Sequence, residues 1–205
     1  MSISCTIGQL HTAATAASRA SDTSDLGLIR SIAAGDKHAM QILFARHNVR
    51  VFRFVLRLIG DKSAAEDLVS DVFLDVWRQA GRFQGRSQVT TWLLAIARNK
   101  ALSALQRRSN EGLDEDAAAA IEDPQDNPEV TLQNRQKTEV LLNCLRQLSP
   151  AHREIIDLVY YHENSIDEVA EIVGVPPNTV KTRMFCARKR IAELMAAQGI
   201  DRAVV

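Results

Sequence analysis

The sequence is poor in what builds a β protein or a membrane protein. Only 5% of its 205 residues are aromatic, nine are Gly and five are Pro. That leaves few of the rings and turn residues from which a sandwich or barrel is made. No apolar run approaches the roughly 18 residues of a membrane-spanning helix, because Arg or Asp interrupts every hydrophobic stretch, so membrane insertion is excluded. Net charge is absent too, with 25 basic against 25 acidic residues, and any specialised electrostatics must come from segregation along the chain. The three cysteines, Cys5, Cys144 and Cys186, are far apart and lack the CxxC or Cys/His spacings of a tetrahedral metal site. The histidines, among them His38, His47, His152 and His162, form no HExxH pattern. No metal or other cofactor is expected, and the cysteine usage fits the reducing cytoplasm. The segment 1–24 is rich in Ser, Thr and Ala with a lone Arg19, and lacks the basic start and apolar block of a secretion signal. It reads as a mobile tail.

What is abundant is Ala and Leu, in a chain that is 46% hydrophobic and 24% charged, so an all-α fold is expected. Breaks at Gly35-Asp36, Gly60-Asp61 and Gly81 to Ser87 divide residues 25–108 into four helices. In the second, Met40, Leu43, Phe44, His47, Val51, Phe54, Val55 and Leu58 recur at spacings of three and four and form one stripe expected to be buried. In the third, Val69, Val72, Phe73, Val76, Trp77 and Ala80 do the same. Residues 109–129 carry eight acidic side chains, Pro124 and Pro128, and neither Lys nor Arg. Such a run repels itself and buries little, so it reads as a flexible acidic linker. Helical patterning returns over 130–198, broken at Ser149-Pro150, His162 to Asn164 and Gly174 to Pro177, with a short tail at 199–205. Leu141, Leu145 and Leu148 mark one helix and Ile155, Ile156, Val159 and Tyr160 the next. Ser165-Ile166-Asp167-Glu168 fits a capping box. Two helical domains joined by a tether follow.

Three constellations carry functional content. A short helix from Ile166, a turn at Gly174 to Pro177 and a long helix from Asn178 have the layout of a helix-turn-helix, whose second helix enters a major groove. On that helix Val180, Met184, Ala187, Ile191 and Leu194 fall on one face. Asn178, Thr182, Phe185 and Lys189 fall opposite, flanked by Lys181 and Cys186, with Arg183, Arg188 and Arg190 nearer the sides. Lys181 and Thr182 can reach base edges, Phe185 can meet a thymine methyl, and the arginines and Lys189 can neutralise phosphates. The bland alternative is a solvated basic helix with Phe185 tucked against a neighbour. The second constellation is the loop Arg82-Phe83-Gln84-Gly85-Arg86-Ser87 and the helix after it, which carries Thr90, Trp92, Arg98, Asn99 and Lys100. Basic groups around a loop with nearby rings can hold single-stranded nucleic acid, but core aromatics beside solvated arginines account for the spacing equally well. The third is Asp67, Asp71 and Asp75, four residues apart on one helix face. This stripe is open to three readings, a metal site, a docking surface for a basic partner, or a solvated face; without a second ligand element the last two are favoured.

In chain order these segments resemble the extracytoplasmic-function (ECF) group of bacterial sigma factors in the sigma-70 family. The resemblance runs from Asp25 to about Gln198. It rests on Ala65-Glu66-Asp67-Leu68-Val69, Val72-Phe73-Leu74, Val76-Trp77, Arg82-Phe83, Thr91-Trp92-Leu93, Ile96-Ala97-Arg98-Asn99, Leu148-Ser149-Pro150 and Thr179-Val180-Lys181-Thr182-Arg183. It implies that 25–108 is sigma domain 2, which binds the clamp helices of the largest subunit of core RNA polymerase and melts the promoter −10 element. It implies equally that 130–198 is sigma domain 4, which reads the −35 element and contacts the polymerase flap. On this resemblance Asp67, Ser70, Asp71, Phe73 and Asp75 meet the polymerase. Phe83, Arg86, Ser87, Thr90, Trp92, Arg98, Asn99 and Lys100 serve the −10 region. Asn178, Thr179, Lys181, Thr182, Arg183, Phe185, Cys186, Arg188 and Lys189 serve the −35 region. Two positions depart from the usual family residues: Ser70, where many relatives carry Gln, and Cys186, where Arg, His or Tyr is common. The implied protein is a non-enzymatic transcription initiation factor of a stress or envelope response, monomeric in the holoenzyme and restrained by an anti-sigma factor. Its rivals are a free-standing helix-turn-helix regulator and a helical metalloenzyme built on the acidic stripe.

Overall fold

The computed structural model describes residues 24–110, 141 and 143–197. The tail before Ser24, most of the acidic linker and the expected helix start near Val130 lie outside the described residues. Within them every regular element is helical: α1 (Asp25–Ala33), α2 (Lys37–Ile59), α3 (Lys62–Gln79), α4 (Val89–Asn110), α5 (Pro150–Ile156), α6 (Ile166–Val173) and α7 (Pro177–Ala197). One 3-10 turn, Ala80–Arg82, follows α3, and one π-helical turn, Asp157–Tyr161, continues α5. The helix α4 runs through Ser109 and Asn110, two residues into the segment expected to be linker.

The helix starts have local causes. Ser24 accepts the Gly27 N–H, the Asp36 carboxylate accepts those of His38 and Ala39, and Asp61 accepts that of Ala64; each satisfies an amide without an intrahelical partner. Gly60 and Gly174 close α2 and α6 in the left-handed conformation, at φ +71° and +72°, where a Cβ is disfavoured. The capping box at α6 is formed in both directions: Glu168 N–H donates to Ser165 Oγ and Ser165 N–H to Glu168 Oε2. Arg153, on α5, donates to the carbonyls of Leu145, Arg146 and Leu148 and so caps the helical residues 143–146. Burial and then the neighbouring Arg146 charge lower the pKa of Arg153.

Leu43, Val51, Phe54 and Val55 on α2 are fully buried with Val72 and Val76 on α3 and Leu93, Leu94 and Ala97 on α4. His47 lies at the edge of this core, its Nε2 2.7 Å from the Asp25 carboxylate, as a histidine on the apolar stripe requires. Three of the apolar residues that mark these helices are exposed, Leu141 at 40% among them. Phe44 is 40% exposed, with its ring set edge-on to Phe73 at 4.8 Å, and Tyr160 is 56% exposed beneath Arg188. Each lies at the margin of its helical stripe, and the spacing rule does not fix where the margin falls.

The two helical domains expected from the sequence also pack against each other. Helix α4 lies against α2 and α3 and also against α6, and buried apolar residues of both halves join in one continuous cluster.

Candidate nucleic-acid and polymerase interfaces

Helices α6 and α7 meet across the turn Gly174 to Pro176, and α7 presents two different faces. Val180, Met184 and Ala187 are buried, with Ile191 and Leu194 partly so. Asn178, Lys181, Thr182, Phe185, Cys186, Arg188 and Lys189 are exposed, and Thr179 and Arg183 half-buried. Phe185, at 70% exposure, is the most open of the exposed large apolar side chains among the described residues. Phe185 is therefore not tucked against a neighbour. Thr182 Oγ1 donates back to the Asn178 carbonyl at 3.0 Å, which fixes its rotamer, and Arg188 is drawn over the Tyr160 ring. Cys186 is a free, exposed thiol.

The loop before α4 is pinned at one end and open at the other. Phe83 and Trp92 are half-buried, ring centroids 4.8 Å apart, so the aromatics form a platform at the core edge. Arg82, Gln84, Gly85 and Arg86 are exposed, and Ser87 and Thr90 half-buried. On α4, Asn99 is exposed. Lys100 is held by Asp75 at 2.8 Å, and Arg98 by Glu154 of α5 through Nε at 2.6 Å and Nη2 at 3.2 Å. Of the acidic stripe, Asp67 and Asp71 are exposed, as is the neighbouring Ser70, and Asp75 is half-buried between Arg78 and Lys100. Asp71, Asp75, Asn99, Lys100 and Arg107 line one groove between α3 and α4. Phe73 is a core residue at 4% exposure, its ring set against that of the more exposed Phe44.

A further set of charged residues escaped the sequence reading. Arg50 donates to the His162 carbonyl, Arg57 pairs with Asp157 and lies over the Tyr161 ring, and Thr91 Oγ1 donates to Glu168 Oε1 at 3.3 Å. Each joins the first four helices to the last three. No short-range spacing links residues so far apart in sequence, and only the excess of Arg on α2 hinted at acidic partners.

Family comparison decides among the rival readings. Residues 43–111 match the model of Sigma-70 region 2, and residues 138–191 that of Sigma-70, region 4. The RNA polymerase sigma factor CarQ of Myxococcus xanthus is 31% identical over 170 residues, covering 82% of this chain and 95% of that protein. The ECF RNA polymerase sigma factor SigK of Mycobacterium sp. (strain KMS) is 30% identical over 171 residues, 79% of this chain and 86% of its own length. The chain is an ECF sigma factor. Among solved structures, the sigma factor RpoE of Bartonella quintana, in complex with the anti-sigma factor NepR, is 29% identical, with a TM-score of 0.60 over 75% of this chain and 94% of that one. CnrH, solved with the cytosolic domain of CnrY, shares the fold at 22% identity and a TM-score of 0.63, over 84% of this chain and 97% of that one. In this sigma factor region 2 thus takes in most of α2 with α3 and α4, and region 4 takes in α5, α6 and most of α7. No helix among the described residues is long and apolar enough to cross a membrane, and no group of potential metal ligands lies among them.

Glu168 supplies a pH test of how the sigma factor is held together. Burial pushes its carboxyl up, but hydrogen bonds from the Ser165 N–H and hydroxyl and from Thr91, with the Arg50 charge, outweigh burial and hold it below the usual range. A depressed carboxylate stabilises the fold above its unfolded value, 4.5, and that contribution is lost as pH falls through the lower folded value. Urea midpoints measured from neutral pH down to about pH 4 are expected to fall less steeply for Glu168→Gln, which keeps the capping box but cannot titrate. Equal slopes in the two proteins would remove Glu168 from the account.

Proposed function

We propose that this sigma factor binds core RNA polymerase in the cytoplasm and directs initiation at promoters read through two elements. Residues 25–108 act as sigma domain 2, with Asp67, Ser70, Asp71 and Asp75 on the clamp helices of the largest subunit. The Phe83 to Thr90 loop, Trp92, Arg98, Asn99 and Lys100 hold the melted −10 strand, where guanidinium and ammonium groups meet phosphates and rings meet bases. Residues 130–198 act as sigma domain 4, contacting the flap and laying α7 in the −35 major groove, and 109–129 serve as the tether between the two. Catalysis belongs to the polymerase, and the sigma factor adds no bond chemistry of its own. The observation that carries this reading is the exposed basic face of α7, with Phe185 open to solvent on a helix within the region 4 match. Restraint by an anti-sigma factor is part of the proposal, supported by the RpoE relative solved with NepR, and a stress or envelope response is the expected setting.

The test is capture of purified core polymerase by the full chain, followed by transcription from a genomic fragment library. Core binding with new start sites is the expected result. Failure to bind core, together with tight binding of duplex by a symmetric dimer of the protein alone, would replace it with a conventional regulator. Within this reading Lys181→Ala is expected to weaken binding to a matched −35 duplex by about 1 to 3 kcal/mol, whereas Arg188→Ala weakens matched and scrambled duplexes alike. Anisotropy titrations on the two duplexes separate these roles, and equal losses for Lys181→Ala would withdraw base reading from it.

A further inference from the structure

The basic row on α7 is braced from outside that helix. Lys181, Phe185 and Arg188 follow one another at spacings of four and three along its exposed face. At the end of the row the Arg188 guanidinium lies over the Tyr160 ring, its Cζ 5.4 Å from the centroid. Tyr160 belongs to the π-helical turn Asp157–Tyr161 that continues α5, and the His162 N–H closes that turn on the Asp157 carbonyl at 3.1 Å. Turns of this kind recur at functional sites. Ile155, Ile156 and Leu158 anchor the segment in the core, and α5 packs against α7. Buried contacts therefore fix where the ring stands relative to α7, although the ring itself is open to solvent. A tyrosine so exposed adds little apolar burial of its own, so stability does not account for it. The two arginines near this end of the row are held differently. Arg190 pairs with Glu193 at 3.4 Å, an acid that competes with any phosphate for the same N–H donors. A ring attracts the Arg188 charge through its face and consumes no N–H donor, which leaves the fork for a phosphate. An unrestrained Arg gives up rotamer freedom when it binds, and holding it beforehand removes part of that cost.

We propose that Tyr160 is a positioning residue for promoter recognition, its ring holding the Arg188 guanidinium at the end of the α7 row for a backbone phosphate of the −35 duplex. This rests on the reading that α7 lies in the −35 groove. A phosphate contact carries no base information, so Tyr160 sets affinity for duplex of any sequence, while Lys181 sets the choice among sequences. The π-helical turn thereby joins the helix-turn-helix in the DNA-binding machinery of region 4, within whose match both residues fall.

The experiment uses the full chain in anisotropy titrations with matched and scrambled −35 duplexes, and in NMR of the Arg188 side chain without DNA. Tyr160→Leu, which keeps bulk and removes the ring, is expected to weaken binding of both duplexes about two- to fivefold, the worth of one exposed cation–π contact. Tyr160→Phe keeps the ring and is expected to bind as wild type does. In an Arg188→Ala background Tyr160→Leu changes nothing further, because the two residues act as a unit. The Arg188 δ-methylene signals, assigned by their loss in Arg188→Ala, are expected to carry a ring-current shift in wild type and Tyr160→Phe that vanishes in Tyr160→Leu. Equal binding by wild type and Tyr160→Leu overturns the proposal, and so do additive losses in the double variant, which would make Tyr160 a DNA contact in its own right. A loss in Tyr160→Phe as large as in Tyr160→Leu moves the effect to the hydroxyl and overturns the role of the ring. Absence of the ring-current shift from wild type overturns the contact itself. The shift present with neither duplex bound by wild type overturns the groove reading of α7 and reduces the pair to a structural contact.

Discussion

Phe54→Ala is expected to cost about 3 to 5 kcal/mol of folding stability. Phe54 is fully buried in the C-terminal half of α2 and its ring also meets the His162 imidazole, so truncation opens a cavity on the line where the two regions join. A domain of ordinary stability holds only about 5 to 15 kcal/mol in total, and guanidinium denaturation is expected to show a midpoint shifted far toward zero. Phe44→Ala, ten residues earlier on the same helix, is the control: its ring is 40% exposed and touches Phe73 from outside, so its stability cost is about 1 kcal/mol or less. If Phe44 also covers the polymerase-facing surface, that variant loses core binding while remaining folded. Similar denaturation midpoints for the two variants would contradict the burial on which this contrast rests.

The second large effect concerns the ion pair between α4 and α5. Arg98→Ala leaves the Glu154 carboxylate, 7% exposed, without its partner, a loss of about 3 to 5 kcal/mol if the regions stay together. Separation of the two regions rehydrates the carboxylate and caps that cost, so the loss appears first as opening and then as reduced cooperativity of unfolding. Replacing both partners, Arg98→Met with Glu154→Leu, removes the buried charge altogether and is expected to restore the denaturation midpoint to within about 1 kcal/mol of wild type. Trp92, half-buried on the same helix, gives an intrinsic fluorescence readout. A double variant as unstable as Arg98→Ala would mean that the charges themselves, and not the filling of the contact, hold the regions together.

The two predictions draw on different kinds of information. The burial of Phe54 is legible in the spacing of apolar residues along α2, because a helix repeating every 3.6 residues turns spacings of three and four to one side. The capping box at Ser165, the left-handed stops at Gly60 and Gly174 and the outward face of α7 are legible for the same reason. Each depends on atoms within a few residues of one another, and local geometry is nearly independent of the rest of the chain.

Glu154, Asp157 and His162 carry no such local mark. Glu154 lies one residue before the buried Ile155 and Ile156, and by pattern alone it is a surface acid on a short helix. Its partner Arg98 is 56 residues away in sequence, and nothing in either neighbourhood specifies the other. Arg98 also illustrates how one residue is read twice: its position in the Ile96-Ala97-Arg98-Asn99 segment points to nucleic acid, while its geometry commits it to a carboxylate. The sequence by itself determined the helices, their buried faces, the helix-turn-helix and the membership of the sigma-70 family. Only the tertiary structure decided that the two regions close on each other and which charges are withdrawn from solvent. Helix periodicity is a property of neighbouring residues, whereas a pair of charges across a domain contact exists only once the chain has brought two distant faces together.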